Sequence, residues 1–305
     1  MKAIVATRQG RPEVLELREV ARPSPRADEI LIRVHASTVV QGDVILRKLH
    51  PLLFILFRLF GIHRKRIQGN EFAGVVEEVG IDVTEYVPGD RVYGTSTGLK
   101  AGSNAEYLCV PERWKTGVVA KMPAKISFEE AAAIPIGAMT ALDLLRKAKI
   151  AKGQRVLVYG ASGSVGTYAV QLAKYFGAHV TGVASAANQE LVRSLGADRA
   201  LDYTQDDFCS GEERYELIFD AVSKISARQC KGVLAETGKF ISVRTPTKEE
   251  TEYLDYLREP IEAGQVWAVI DRRYSLAETA EAHRYVETGR KKGNVVIQVV
   301  AKGGK

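Results

Sequence analysis

The chain has 305 residues, of which 46% are hydrophobic and 26% are charged. This composition is typical of a globular protein with sizeable cores and excludes a disordered chain. The net charge of +6 is spread along the chain and therefore does not predict a nucleic-acid partner. Three widely spaced cysteines (Cys109, Cys209, Cys230) and an N-terminus without an apolar signal core lead us to expect a reduced, cytoplasmic protein.

The first 125 residues contain short strand patterns separated by turn residues, which predict a β-rich first domain. An apolar segment, 51–62, interrupts this pattern and is followed by the basic run 63–66. The segment is shorter than the about 20 apolar residues that cross a bilayer, so we expect no stable membrane insertion. Three interpretations remain open: a core helix, a lid over an apolar substrate pocket, and an interfacial helix on anionic lipid.

The pattern changes at Ser127, which with Glu130 forms a capping box and predicts a helix over 131–147. Strands and helices then alternate up to about residue 264, as in a doubly wound parallel sheet. A second capping box, at Ser275 and Glu278, predicts a helix that runs to residue 289, and a last strand is expected at 294–300. We therefore predict an α/β protein with a β-rich domain (1–125 and 265–305) and a nucleotide-binding domain (126–264).

A glycine-rich turn, 160–166, follows a buried-strand pattern and leads directly into a helical pattern. Such a turn aims backbone N–H groups and a helix N-terminus at a pyrophosphate. Gly163 would let the phosphates approach, and Gly166 would let the helix press on the strand. The next strand pattern ends at Ser185 without the acidic residue that binds the ribose hydroxyls of NAD, so the sequence favours NADPH.

Several further segments resemble the medium-chain dehydrogenase/reductase superfamily, and most of all its zinc-independent, quinone oxidoreductase-like branch. The resemblance implies a GroES-like β domain built from both termini, a Rossmann domain between them, and an active site in the cleft. The segments that carry it are 2–5, 69–80, 88–92, 105–107, 131–135, 140–141, 160–166 and 195–198.

Zinc-dependent members of this superfamily supply a Cys and a His to the catalytic metal. The matching positions here are Val40, three residues before Asp43, and Asn70, and neither side chain suits zinc. A four-cysteine structural lobe is also absent, so we expect no metal. Without a Lewis acid, the acceptor has to be electrophilic already, as quinones and α,β-unsaturated carbonyls are.

The quinone oxidoreductase-like branch often carries Asn at the position of Val40 and Tyr at that of Ile45. These replacements remove the usual polar groups for orienting a substrate oxygen or donating a proton. The remaining candidates for the substrate pocket, alongside Val40, are polar residues whose alternative role is a buried structural hydrogen bond: Gln41, Asp43, Asn70 and Glu71. We therefore expect no essential side-chain acid, and solvent would protonate the product.

The resemblance also implies cofactor contacts along the second domain and at the last strand. For Tyr203, packing of a strand-end aromatic on the helix after Ala187 is an equal alternative. The candidate residues are Thr140, Gly160, Ser162, Gly163, Ser164, Val165, Gly166, Ser185, Asn188, Tyr203, Val222, Val243 and Asn294.

These residues together predict an NADPH-dependent reductase. Its substrate would be a hydrophobic small molecule that carries a quinone or enone group, which accepts the hydride. The alternative is a cofactor-binding protein with little turnover that serves as a structural, lipid-surface or RNA-interacting component. After the strand pattern 239–243 the chain lacks the strand that usually extends the family's sheet across a dimer. A homodimer of the family type is therefore in doubt.

Overall fold

The computed structural model describes residues 1–49, 66–210 and 212–300. The chain divides into two compact units, Met1–Pro135 with Ile270–Lys305, and Ile136–Val269. The apolar segment 51–62 lies outside the described residues, so its three interpretations stay as they are. Across the ranges that the structure describes, no helix combines the length and the apolar character needed to span a bilayer.

The regular elements follow one another in an order that separates a strand-rich start from an alternating middle. The strands are β1 Lys2–Ala6, β2 Leu15–Glu19, β3 Glu29–Thr38, β4 Glu71–Val79, β5 Arg91–Thr95, β6 Tyr107–Pro111, β7 Val119–Lys121, β8 Arg155–Tyr159, β9 His179–Ala184, β10 Arg199–Asp202, β11 Tyr215–Asp220, β12 Leu234–Ser242, β13 Ile270–Ser275 and β14 Asn294–Gln298. The α-helices are α1 Gln41–Lys48, α2 Phe128–Ala132, α3 Pro135–Ala148, α4 Ser164–Tyr175, α5 Gln189–Ser194, α6 Thr251–Glu262 and α7 Thr279–Glu287.

The first unit is built on a mostly antiparallel sheet in the order β13-β14-β3-β4-β5-β7, with β6 paired to β3. Strand β3 alternates its side chains, so that Ile30, Ile32 and Val34 are buried against Phe72 and neighbouring aliphatic residues. Strand β14 pairs with β3, which confirms that the last strand returns to the first domain.

The predicted single helix over 131–147 is wrong, because the structure divides this region into α2 and α3. Ser127 caps α2 as predicted: its hydroxyl accepts from Glu130 N, and the Glu130 carboxylate accepts from Ser127 N at 2.8 Å. Pro135 lacks a backbone N–H and disfavours helical geometry at Ile134, so α2 ends before it. Proline is accepted at the first position of a helix, where α3 begins.

The second unit contains the predicted doubly wound sheet, with parallel strands in the order β10-β9-β8-β11-β12. Its core side chains, among them Leu157, Val183 and Ile218, come from strands covered on both faces. The carboxyl ends of β8 and β9 meet at one edge of this sheet because their register pairs Tyr159 with Val183. Parallel α/β sheets bind ligands at this edge.

Candidate functional site

The turn at residues 160–166, called the glycine turn below, owes its shape to two glycines. Gly160 has φ +78°, a left-handed conformation that favours glycine. A Cβ on Gly166 would lie 2.1 Å from the Gly160 carbonyl oxygen, so only glycine lets α4 approach the strand this closely. A Cβ on Gly163 would meet the Gly160 carbonyl oxygen at an ordinary 3.5 Å. Gly163 therefore leaves room above the backbone, where a phosphate can approach.

The N-terminus of helix α4 lies in the glycine turn. Gly163 is its N-cap, and the Gly163 carbonyl accepts from Thr167 N at 2.9 Å. Ser162, Ser164 and Val165 are half-buried around this end. The helix dipole and the first-turn N–H groups favour an anion at such a terminus. The glycine turn consequently fits the pyrophosphate of a dinucleotide.

Helix α3 packs beside the glycine turn. A Cβ on Gly137 would lie 2.9 Å from the Ser164 hydroxyl oxygen and 2.9 Å from the Tyr168 ring, which places α3 directly against α4. Thr140 lies one turn further along α3 and is half-buried. Thr140 therefore lies on the helix that packs against α4, and its contact with a cofactor phosphate stays a prediction.

Asp220, at the end of β11, organises a second wall of this site, and the sequence analysis missed it. Its buried carboxylate accepts from Val222 N at 3.1 Å and from the Ser242 hydroxyl at 3.2 Å. The Val222 side chain lies over the glycine turn, so a Cβ on Gly160 would be 2.6 Å from Val222 Cγ1. Val243 N bonds to the Asp220 carbonyl. An aspartate closing a buried strand pattern was the available signal.

The expected adenosine end of the site contains Ser185, Asn188 and Tyr203. The Asn188 side-chain amide donates to the Ser162 hydroxyl at 3.0 Å, while its buried Oδ1 has no hydrogen-bond partner among the residues that the structure describes. This oxygen can accept a hydrogen bond from a ribose hydroxyl. If the side-chain amide is turned over, its NH₂ group takes the place of the oxygen and can donate to a phosphate. Tyr203 is 50% exposed, and its ring contact is with Tyr159, 6.3 Å between centroids.

In the first unit, a group of polar side chains lies where β3 ends and β4 begins. Asp43 is 3% exposed and accepts from Val40 N at 2.8 Å and from the Asn70 amide at 2.5 Å. Glu71 is 1% exposed and accepts a hydrogen bond from the Thr38 hydroxyl. Gln41, in contrast, is exposed on α1. Hydrogen bonds therefore join Val40, Asp43 and Asn70. Glu71 bonds to Thr38 instead, and Gln41 lies outside both contacts.

These residues do not fit a zinc ion. Val40 has no donor atom in its side chain, and the Asn70 amide is bonded to Asp43. Within residues 1–49, 66–210 and 212–300, no three His, Cys, Asp or Glu side chains come together as metal ligands do.

Lys291 belongs to the same part of the first unit and was not singled out from the sequence. Its ammonium donates to the Gly293 carbonyl at 2.5 Å. Burial lowers the pKa of Lys291 to about 8, although the Glu71 and Asp271 carboxylates each act to raise it. The nearby Asn294, a predicted cofactor contact, is 2% exposed at the start of β14. A basic run, 290–292, was the only sign of Lys291 in the sequence. We call Thr38, Asp43, Asn70 and Glu71 the polar cluster.

The fold and the glycine turn define a two-unit, dinucleotide-binding oxidoreductase, and comparison with known families agrees. Residues 26–124 match the alcohol dehydrogenase GroES-like domain. Residues 164–267 and 245–297 match two models described as zinc-binding dehydrogenase. The chain belongs to the medium-chain dehydrogenase/reductase superfamily, as the sequence motifs predicted.

Individual relatives cover nearly the whole chain. A 2-methylene-furan-3-one reductase from Solanum lycopersicum is 34% identical over 98% of this chain and 79% of its own length. An NADPH-dependent alkenal/one oxidoreductase, chloroplastic, from Arabidopsis thaliana is 32% identical over 97% of this chain and 79% of its own. The solved quinone oxidoreductase from Coxiella burnetii superposes with a TM-score of 0.83 and 27% identity, covering 98% of this chain and 99% of that one.

Proposed function

We propose that the protein is an NADPH-dependent, zinc-free reductase of enones or quinones carried by a hydrophobic small molecule. The observation that carries the zinc-free part is the Asp43 carboxylate, which bonds to Val40 N and Asn70 at the positions of the family's zinc ligands. No electrophilic metal then polarises the acceptor. An acceptor that is reactive by itself is required, as in the alkenal/one and quinone oxidoreductases that this chain resembles.

The residues of the second unit have defined tasks in this proposal. The glycine turn and the N-terminus of α4 hold the pyrophosphate, Val222 and Val243 line the ribose and nicotinamide, and Asp220 fixes Val222 in place. When bound, NADPH supplies the hydride. Ser185 and Asn188 accommodate the 2′-phosphate because neither carries a negative charge.

The alternative of a cofactor-binding protein with little turnover has no specific observation in its favour, and relatives named as a reductase and an oxidoreductase oppose it. Steady-state assays test both ideas. We expect NADPH oxidation with cyclohexenone or benzoquinone, and no loss of the rate after EDTA treatment. Tight NADPH binding without oxidation by any acceptor would favour the alternative. Stoichiometric zinc, with activity lost on chelation and restored by zinc, would overturn the zinc-free proposal.

Two further expectations belong to the same proposal. The cytoplasm is our proposed compartment, although several relatives are chloroplastic or mitochondrial by name, and a fluorescent fusion would test it. The order of the second sheet ends at β12 in the described residues, and because the chain lacks the strand that usually extends this sheet, a family-type homodimer is possible but stays in doubt. Sedimentation equilibrium with and without NADPH would show whether the chain is a monomer.

A further inference from the structure

Two cysteines that are distant in the sequence meet within the second unit. Cys209 and Cys230 are 21 positions apart, and their sulfur atoms lie 3.7 Å from each other. Both are free thiols. Because a disulfide bond joins two sulfur atoms at about 2.05 Å, one sulfur has to move by about 1.7 Å to form it.

The two cysteines differ in how firmly they are held. Cys230 is fully buried, and its carbonyl accepts from Val233 N at 3.1 Å and from Leu234 N at 3.0 Å. Cys209 is half-buried in the turn that follows β10, where its N–H donates to the Asp207 carboxylate at 3.1 Å. We therefore expect Cys209 to make most of the movement.

Packing already holds the two segments against each other. Phe208 and Cys209 pack on the core cluster that contains Cys230. Their backbones also come close, since a Cβ on Gly232 would lie 3.3 Å from the Cys209 carbonyl oxygen. A disulfide bond at this contact therefore requires neither segment to leave the core.

Cys209 is connected to the expected adenosine end of the cofactor site. The ring of Phe208, its neighbour in sequence, lies 5.1 Å from the Tyr159 ring, which in turn lies 6.3 Å from the Tyr203 ring. Tyr159 ends β8 immediately before the glycine turn. A movement at Cys209 can therefore reach this wall of the site through Phe208.

Cys230 is connected to the other wall of the same site. Its N–H donates to the Ser226 carbonyl at 3.2 Å. The residue before Ser226 donates its N–H to the Asp220 carboxylate, which also accepts from Val222 N. A bond between the two cysteines would thus join the segments that support the two walls.

We propose that Cys209 and Cys230 form a reversible disulfide bond when a peroxide oxidises the protein, and that this bond weakens NADPH binding. The bond draws Cys209 toward the fixed Cys230 and displaces Phe208 from Tyr159, beside the adenosine end of the site. The cysteines take no part in hydride transfer. In reducing compartments, disulfide bonds of this kind are usually transient and redox-sensing.

The oxidation consumes one peroxide and releases two water molecules. The Cys209 thiolate attacks a peroxide oxygen, the O–O bond breaks, and a sulfenic acid and water form. The Cys230 sulfur then attacks the Cys209 sulfur, the S–O bond breaks, and a second water leaves with the Cys230 proton. The two thiols are oxidised by two electrons in total. A dithiol such as dithiothreitol reverses the reaction by thiol–disulfide exchange.

Electrostatics determine which thiol reacts first. Burial raises the pKa of Cys230 to about 12, and the Asp220 carboxylate acts in the same direction. Burial and the Asp207 carboxylate also raise the pKa of Cys209, but the hydrogen bond with Cys230 lowers it. Cys209 is therefore the first to ionise, and the thiolate is the reactive form. Because its pKa stays above the usual value, oxidation should become faster as the pH rises above 7.

The first test is a map of the disulfide bonds in the oxidised full chain. The protein is treated with hydrogen peroxide at about pH 8, alkylated, digested without a reductant and analysed by mass spectrometry. We expect a peptide pair joined through Cys209 and Cys230, which dithiothreitol separates. The pair should form in C109S, a matched control because Cys109 is also half-buried but lies on β6 of the first unit. It should be absent in C209S and C230A.

The second test measures NADPH binding by fluorescence titration. Peroxide should weaken NADPH binding about fivefold in the wild type and in C109S, and dithiothreitol should restore it. C209S should bind NADPH as the reduced wild type does, before and after peroxide. Thermal unfolding shows whether each variant is folded. C209S alters only a half-buried position, so it is sufficient for the comparison if C230A does not fold.

The outcomes separate this proposal from the proposed function. Absence of the joined peptides in folded, peroxide-treated wild type would overturn the disulfide bond. Equal NADPH affinity in the crosslinked and reduced proteins would overturn its effect on the cofactor site. Failure of the reduced wild type to bind NADPH would overturn the proposed function together with that effect, while the peptide map would still decide whether the disulfide bond forms.

Discussion

The glycine turn of the second unit and the polar cluster of the first unit are built in different ways. Backbone geometry shapes the glycine turn: Gly160 adopts a left-handed conformation, and Gly166 brings α4 against a carbonyl oxygen. Side chains shape the polar cluster, in which Asp43 bonds to Asn70 and Glu71 bonds to Thr38. A phosphate cradle depends on a few glycines at fixed spacing, whereas a side-chain cluster can change its members. This difference explains why the glycine turn is visible as a motif in the sequence, whereas spacing alone does not group the residues of the polar cluster.

The largest expected effect tests how far the first unit depends on buried side-chain charge. Arg47 on α1 is fully buried and donates to the Gly10 carbonyl, to Glu287 and, at 3.4 Å, to His283 Nδ1. Arg47→Ala should lower the free energy of unfolding by about 3–5 kcal/mol, because it leaves a cavity in place of a fully buried side chain and removes the donor that bonds to buried His283. Urea unfolding measures this loss.

The matched control is Arg18→Ala, whose partner Glu16 lies on the surface with it. An exposed pair of this kind contributes at most about 1 kcal/mol. Equal losses for the two variants would show that buried charge does not hold the first unit together.

The next largest effect tests the backbone side of the comparison. Gly166→Ala places a methyl group 2.1 Å from the Gly160 carbonyl oxygen, so we expect a loss of about 3 kcal/mol in unfolding free energy and of NADPH binding. Gly163→Ala meets only ordinary contacts and should fold normally, yet bind NADPH about tenfold more weakly, since its methyl group occupies the phosphate approach. Fluorescence titration with NADPH measures both. Tight NADPH binding by Gly166→Ala would contradict a backbone-shaped cradle.

A pH effect of intermediate size should come from the first unit alone. Burial, followed by the Arg47 charge, lowers the pKa of His283 to about 3. Between about pH 6.5 and 3, His283 therefore binds a proton in the unfolded chain but stays neutral in the folded protein. The free energy of unfolding consequently falls as the pH falls. At pH 5 this costs about 2 kcal/mol relative to pH 7. His283→Gln should lose less stability than the wild type over this range in urea unfolding. An identical acid dependence in both proteins would remove His283 as its source.

The smallest expected effect concerns the choice of cofactor. Ser185→Asp adds a carboxylate at the end of β9, where it repels a 2′-phosphate and can bind ribose hydroxyls. We expect NADPH affinity to fall about tenfold while NADH affinity rises. Ser194→Asp adds the same charge at an exposed position on α5 and should change neither. A preference for NADH in the wild type would contradict the assignment of Ser185.

Local sequence features located those parts of the fold that depend on neighbouring residues. The capping box at Ser127 and the glycine turn both formed as predicted, because their hydrogen bonds and dihedral angles involve only a few adjacent residues. The helix predicted over 131–147 shows that an apolar pattern alone does not locate a break between two successive helices. Pro135 was visible in the sequence, and its missing N–H ended one helix and began the next.

The sequence by itself determined the family, the two sheets and the phosphate cradle, since strand period and glycine spacing act over short distances. Tertiary structure alone decided which polar side chains meet. Arg47 bonds to Glu287 across 240 positions, and Thr38 bonds to Glu71 because the end of β3 lies beside the start of β4. A pattern in one segment carries no information about the charge that a distant segment will bring beside it.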